Sequence, residues 1–573
     1  MLIAGAASAS DEDARLAAFF KSYLDETMKH SPSTATRYGD HRFDALLDDL
    51  SPEARRAAVE RLRKAKADLP KEVEYTKLSR AGQIDYEILA HDLKRSLWLE
   101  ENTRPYEQDP RTYIECMSDS VFLMLTQSTA AKERTLQNAI ARIGFIPRVV
   151  AAAKVSLKDP PKAWLESGIR QNLGAIHFFE KGIFEVTGES PQGSELQAAC
   201  RKILPALHVF QLFMEEQLTK QATGDWRLGK ERFAQKLELE LDAGVTAEDV
   251  VKDAEAEAQR VEREMVVVAR QLWAKYFPKQ PLPPDDAEGR RALVRQVVAA
   301  TGNEHGKVED LVKDAHTTVE RIKQFIAAND ILRLPDPDHC KVIEMPEFQR
   351  GFSVAYLNPA PPLDPNASSH YAVSPPPKDW DARRVQTYLQ EYNRHMLQIL
   401  TIHEAYPGHY VQLDYGNRHP SLIRRVLSSG VFAEGWAVYT EQMMLDQGYG
   451  AGDLALRLSQ LKFYLRAVIN AILDYKMHCE NMSDEEAMRL LVDRGFQSEA
   501  EAVGKIMRAK LSSCQLSTYF VGRMAFYRLR QQMQRELGDK FELGRYHEAV
   551  LAHGTLPVKY LPELVRERLK QPR

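Results

Sequence analysis

The chain has 573 residues, with 77 Lys+Arg against 81 Asp+Glu, a net charge of -4, and 44% hydrophobic residues. A mean hydropathy of -0.42, with 29 Gly and 29 Pro, excludes a disordered, collagenous or membrane-embedded chain. No run of about 18 apolar residues is present to span a bilayer, and the balanced charge lacks the basic footprint that nucleic acid requires.

In chain order, Met1 to Ala9 reads like the end of a secretory signal, with Ala7-Ser8-Ala9 fitting the small-residue cleavage rule but no Lys or Arg before it. Export to the periplasm or beyond is therefore favoured over a cytoplasmic location. After Asp11-Glu12-Asp13, Leu16, Phe19, Phe20, Tyr23, Leu24 and Met28 recur at helical spacing. Ser51-Pro52-Glu53 reads as a cap followed by proline at the first helical position. Helical patterns continue over 81–100, 130–155, 195–222, 247–276 and 305–328, with a proline-rich connection from Phe277 to Pro284. Val342 to Met345, Phe352 to Tyr356 and Tyr371 to Val373 read as short strands, whose sheet either packs or offers an edge to an extended peptide. Helices resume from Asp381. The organisation predicted is a possible signal remnant at 1–10, an N-terminal helical region at 11–335, a small β and proline-rich segment at 336–380, and a helical metal-binding region at 381–573. Cys116, Cys200, Cys340, Cys479 and Cys514 are odd in number and hold no C-x-x-C pair, so they read as apolar fillers rather than disulfides or thiolate ligands.

The informative residues are His403-Glu404-Ala405-Tyr406-Pro407-Gly408-His409 and Phe432 to Glu441. In the zinc-peptidase helix H-E-x-x-H, both His share one face and the Glu is the general base. Here the second His lies six residues on, a rotation of ~240° on a regular helix, which points it away from the first. Pro407-Gly408 permits a bulge that returns His409 to the side of His403. Glu434, an acid beside Gly435 and Trp436 in an apolar run, is costly to bury unless paired or bound to metal. It is the candidate third ligand. Glu441, about two turns on, either orients a ligand imidazole or is exposed.

These two stretches resemble the signature of the bacterial family catalogued as domain of unknown function 885, which is placed beside gluzincin-type zinc peptidases. Further matches are Pro32, Ala35-Thr36, Gly39, Phe43-Asp44, Gln83-Ile84-Asp85, Asp109-Pro110 and Tyr113. Towards the end they are Tyr519, Gly522, Leu529-Arg530, His547 and Gly554-Thr555-Leu556-Pro557. Where the family often has Asp-Thr-Gly-x-His, this chain has Asp474-Tyr475-Lys476-Met477-His478. Asp474 and His478 then read as a pair beside the site or its substrate, or as an ordinary surface pair.

The resemblance implies a mainly α, multi-helical gluzincin-like peptidase with a deep cleft and a small sheet around 340–375. His403, His409 and Glu434 would hold one Zn²⁺ per chain. Glu404 would act as general base, Tyr519 as oxyanion donor and Arg530 as a clamp for a substrate carboxylate. The expected reaction is hydrolysis of short peptides, of carboxypeptidase or oligopeptidase type. Two other readings stand beside it: a helical binding protein with a retained metal site, and a non-haem iron enzyme using the same ligand types.

Overall fold

Capping residues set many of the helix starts. The Ser51 hydroxyl accepts from the Ala54 N–H to begin Pro52–Glu72, and Ser79 does the same from Gly82 for Arg80–Asn102. The computed structural model describes residues 11–345 and 355–571; the residues 1–10 and the Phe352-Ser353-Val354 part of the second expected strand lie outside them. The protein is mainly α with one small sheet. Among the described residues no helix is long and apolar enough to cross a membrane.

The described residues divide into two compact units. One is drawn from Met1–Trp226, Ala360–Ala367 and His419–Leu427, the other from Arg227–Pro359, Ser368–Arg418 and Ser428–Arg573. In the first, Asp11–His30 buries Leu16, Phe20, Leu24 and Met28, the stripe its spacing predicts. The pattern over 130–155 is two helices, Lys132–Ile143 and Ile146–Ser156, parted at Gly144. Arg142 is fully buried and fully engaged. It donates to Leu46 O (2.7 Å), Ser120 O (2.9 Å) and Thr36 Oγ1 (2.8 Å), while Thr36 in turn donates to Asp44 (2.7 Å). Asp85 accepts from Ser421 Oγ (2.6 Å) and Arg424 Nε (2.5 Å). Thr36, Asp44 and Asp85 therefore stitch this unit together.

The second unit carries the sheet and seven helices used below: α1 (Ala247–Tyr276), α2 (Arg394–Glu404), α3 (His409–Asn417), α4 (Gly430–Asp446), α5 (Leu454–Cys479), α6 (Glu499–Leu511) and α7 (Thr518–Leu537). The residues 227–335, grouped on sequence with the N-terminal helices, fall in this unit because α1 lies along α5. Strands β1 (Cys340–Glu344), β2 (Ala355–Asn358) and β3 (Ser369–Val373) run in the order β1-β3-β2. β1 and β3 are parallel, with Val342 opposite Tyr371; β2 and β3 are antiparallel, with Leu357 opposite Tyr371. β2 is thus an edge strand among those described.

The helix expected from Asp381 through His403 is two helices. Ala382–Glu391 ends, and Asn393 starts α2 by accepting from the N–H groups of His395 (3.0 Å) and Met396 (3.1 Å). Asparagine competes for backbone donors in this way, which favours a cap over a helix interior.

Candidate metal centre

Helix α2 stops at Glu404. The N–H groups of Ala405 (3.0 Å) and Tyr406 (3.2 Å) both donate to Thr401 O, that of Gly408 to Ile402 O (3.0 Å), and α3 starts at His409. The spacing is therefore bridged by a break between two helices rather than by a bulge within one, with Tyr406–Pro407 in the cis form. A proline without an N–H and a glycine without a side chain permit it. A Cβ on Gly408 would lie 1.9 Å from His403 O and 2.3 Å from Ile402 O. Backbone oxygens cannot yield that distance while α2 stays closed. Gly408→Ala is expected to cost at least about 1–3 kcal/mol of overpacking. Its thermal midpoint should fall by several degrees and its affinity for zinc should fall too, since His409 is the next residue; an unchanged melt and titration would refute the close approach.

The break turns both imidazoles to one point. Their ring centroids are 4.8 Å apart, with planes at 89°. His409 Nε2 lies 3.4 Å and His403 Nε2 3.9 Å from Glu434 Oε2. One donor atom from each of the three groups lies within 4.8 Å of the others. His403 Nδ1 is 2.7 Å from Glu441 Oε1. With Glu441 ionised this contact places the proton on Nδ1 and turns the Nε2 lone pair towards His409 and Glu434. Glu441 is fully buried, so of its two readings the orienting one matches its position.

The electrostatics explain what such a cluster needs. Burial, and then His409, lower the pKa of His403 to about 3, so it is neutral. Burial alone would lower His409 too, but its bond to Glu434 raises it. Burial pushes Glu404 up to about 7 and, with Glu404 beside it, Glu441 well above the usual carboxylate range. A cation bound among these groups would let the buried carboxylates ionise. Two nitrogen donors and one oxygen donor, with a carboxylate fixing one imidazole from behind, fit a divalent ion of the zinc type.

Helix α4 carries the rest of the signature. Ser429 Oγ accepts from Phe432 N–H to start it (3.3 Å). Glu434 faces the imidazoles. A Cβ on the adjacent Gly435 would meet Gly522 Cα of α7 at 2.3 Å, so the two helices cross at a glycine pair. Trp436 Nε1 donates to Pro407 O (2.8 Å), which ties α4 to the break. His547, also matched on sequence, donates through Nδ1 to Ile331 O (2.8 Å) and accepts from Tyr439 O–H (2.8 Å). Thr555 accepts from Gln412 (2.7 Å) and its carbonyl from Ser429 N–H (2.8 Å), holding α3 and the start of α4.

His403 and Glu404 line a cavity of about 300 Å³ that Tyr519 also lines. Glu404 Oε2 accepts from the Leu357 N–H of β2 (3.0 Å). Tyr519 Oη accepts from Arg508 Nη2 (3.1 Å) and Gln515 Nε2 (3.3 Å).

Three expected site residues lie elsewhere. Arg530 faces Tyr439, Tyr546 and His547 and does not line the cavity; leucine-arginine spacing on a helix leaves the direction of the side chain open. Asp474 and His478 are buried, which excludes a surface pair. Asp474 accepts from Cys514 N–H (3.2 Å) and Ser517 Oγ (3.1 Å), and His478 Nε2 lies 3.1 and 3.0 Å from the carbonyls of Ala509 and Ser512. They pin the turn between α6 and α7 and touch neither imidazole. The cations of the cavity are instead Arg466, Lys505 and Arg508. Lys505 had a legible signal: with Ala502, Ile506 and Ala509 it occupies the apolar stripe of α6.

The chain matches the family described as bacterial protein of unknown function (DUF885) over residues 32–565. It belongs to that family. Among solved structures, a protein of unknown function from Shewanella oneidensis, described as a candidate lipoprotein, is 30% identical with a TM-score of 0.81, covering 96% of this chain and 99% of that one. A candidate lipoprotein from Colwellia psychrerythraea is 18% identical with a TM-score of 0.79, covering 98% and 99%, and shares the fold. No curated protein matches the chain.

Proposed function

We propose that this family member is a zinc-dependent peptidase acting on short peptides. The observation that carries the reading is the convergence of His403, His409 and Glu434 beside a cavity that Glu404 lines. Those three residues would hold one ion per chain. Zinc bound there supplies Lewis-acid polarisation and a bound water with a pKa near 7. Glu404 is fixed through Oε2 by the Leu357 N–H, leaving Oε1 to take a proton from water and pass it to the leaving nitrogen. Both neighbours of the Tyr519 oxygen donate to it, so its own proton is available to the oxyanion of a tetrahedral intermediate. One such donor typically contributes ~2.7–4 kcal/mol. Ala355 and Tyr356 of β2 line the same cavity, so a peptide bound there would lie beside that strand.

The motif resembles that of gluzincin-type peptidases with a two-residue break inserted. The likeness to a candidate lipoprotein supports an extracytoplasmic location. Purified protein is expected to carry about one zinc per chain, to cleave members of a short-peptide library, and to lose that activity on chelation and regain it with zinc. Zinc-loaded protein that cleaves nothing in a broad library would favour a binding protein. Bound iron with oxygen consumption would favour an oxygenase.

A further inference from the structure

The cavity beside the three candidate ligands is lined by three cations, Arg466, Lys505 and Arg508, of which the hydrolytic reading gives Lys505 no role. Lys505 lines it at 5% exposure, a burial that lysine rarely tolerates without a partner. Among the described residues no carboxylate lies within ion-pairing distance of Lys505 or of the exposed Arg508. Arg466 in the same wall has its own acid, Glu501, at 3.2 Å. Arg508 spends one guanidinium nitrogen on Gln515 (2.7 Å) and Tyr519 (3.1 Å), both uncharged partners. Burial, with Arg466 and Arg508 nearby, holds the Lys505 pKa well below the ordinary lysine value, so an added negative charge beside it would favour its protonated form.

The arrangement is held in place rather than left on a loose surface. Lys505 and Arg508 sit one turn apart on α6, and Ser498 starts that helix with a capping box. Asp474 and His478 fasten the turn that follows, and the same turn leads to Tyr519. A buried cation of this kind is unfavourable in the free protein and becomes favourable when an anion arrives, which is the pattern of a recognition group.

We infer that Lys505 and Arg508 bind a carboxylate of the substrate peptide. Both line the cavity that Glu404 lines, so that carboxylate belongs to the part of the peptide that enters beside the general base. This rests on the peptidase reading for the identity of the ligand, but not for the anion site. Two sources share the chemistry: the C-terminal α-carboxylate, and an Asp or Glu side chain in that part of the peptide.

Binding and turnover are to be read separately on the zinc-loaded full chain. Calorimetric titration of Glu404→Gln should show an N-acetyl dipeptide binding at least about 30-fold more tightly than its C-terminal amide. The preference should disappear when Lys505→Met is added. Replacing a buried ammonium by an apolar side chain of similar length should leave the thermal midpoint equal or higher, so loss of discrimination is not loss of fold. Arg508→Gln, at an exposed position, should weaken the preference by about 10-fold. A tight-binding dipeptide amide ending in Asp would assign the side-chain source, and a weak one the α-carboxylate. Equal affinity for acid and amide together with no tighter binding of the Asp-ending amide, or a preference that survives Lys505→Met, overturns the inference even if peptides are cleaved. A preference that depends on Lys505 in a wild type that cleaves no peptide keeps the anion site and removes the peptidase reading.

Discussion

Glu404→Gln is expected to keep about one zinc per chain and to lose peptide hydrolysis by a factor of at least ~10³, within the range for a positioned general base. The substitution is close to isosteric, and the amide oxygen of Gln can still accept the Leu357 N–H that Oε2 accepts at 3.0 Å. Strand β2 and the end of α2 should therefore stay where they are, and the thermal midpoint should be unchanged. What disappears is one negative charge and the capacity to take a proton. Metal content by elemental analysis and turnover on the best library peptide make the measurement. Retained turnover would remove Glu404 from the chemistry. Lost turnover with lost metal would instead make it part of the ion site.

His409→Ala tests the ion site itself. Binding free energies of zinc to a four-ligand protein site are about 10–16 kcal/mol, so one ligand accounts for roughly 2.5–4 kcal/mol, or about 10²–10³-fold in affinity. A competition titration with a chromophoric chelator should show that loss, and turnover at sub-saturating zinc should fall with it. The variant leaves Glu434 facing one imidazole across 3.9 Å and leaves His403 bonded to Glu441, so two of the three donors survive. If zinc affinity is unchanged, the three groups do not share an ion, whatever the activity.

Much of the site was legible because it lies in two short stretches. His403 falls on an apolar stripe, Glu404 beside it is ionisable, and Glu434 interrupts an apolar run; each is anomalous on composition alone. Residues whose meaning depends on what crosses over them were not. Gly522 looks like any glycine until α7 is laid against Gly435. Arg530, one of many arginines, reads on sequence as a substrate clamp, yet the turn of α7 aims it at Tyr439 and His547. Asp474 and His478, four apart, read as a pair on a helix face, but that face is buried and their partners are the backbone of a distant turn. Lys505 illustrates the reverse case. Its place on the stripe of α6 was visible, but a lysine there is usually read as snorkelling to solvent.

From the sequence alone came the helical character, the approximate extent of the strands around 340–375, and the identity of the two His and two Glu at the centre. Periodicity and capping act over neighbouring residues, and so they survive without a fold. Left to the packed chain were the break that brings His409 round to His403, the boundary after Trp226 that gives residues 227–335 to the second unit, and the direction of every long polar side chain around the cavity. Those depend on contacts between segments tens of residues apart, such as Trp436 with Pro407 or Asp474 with Cys514, whose energies are set by geometry that no local pattern encodes.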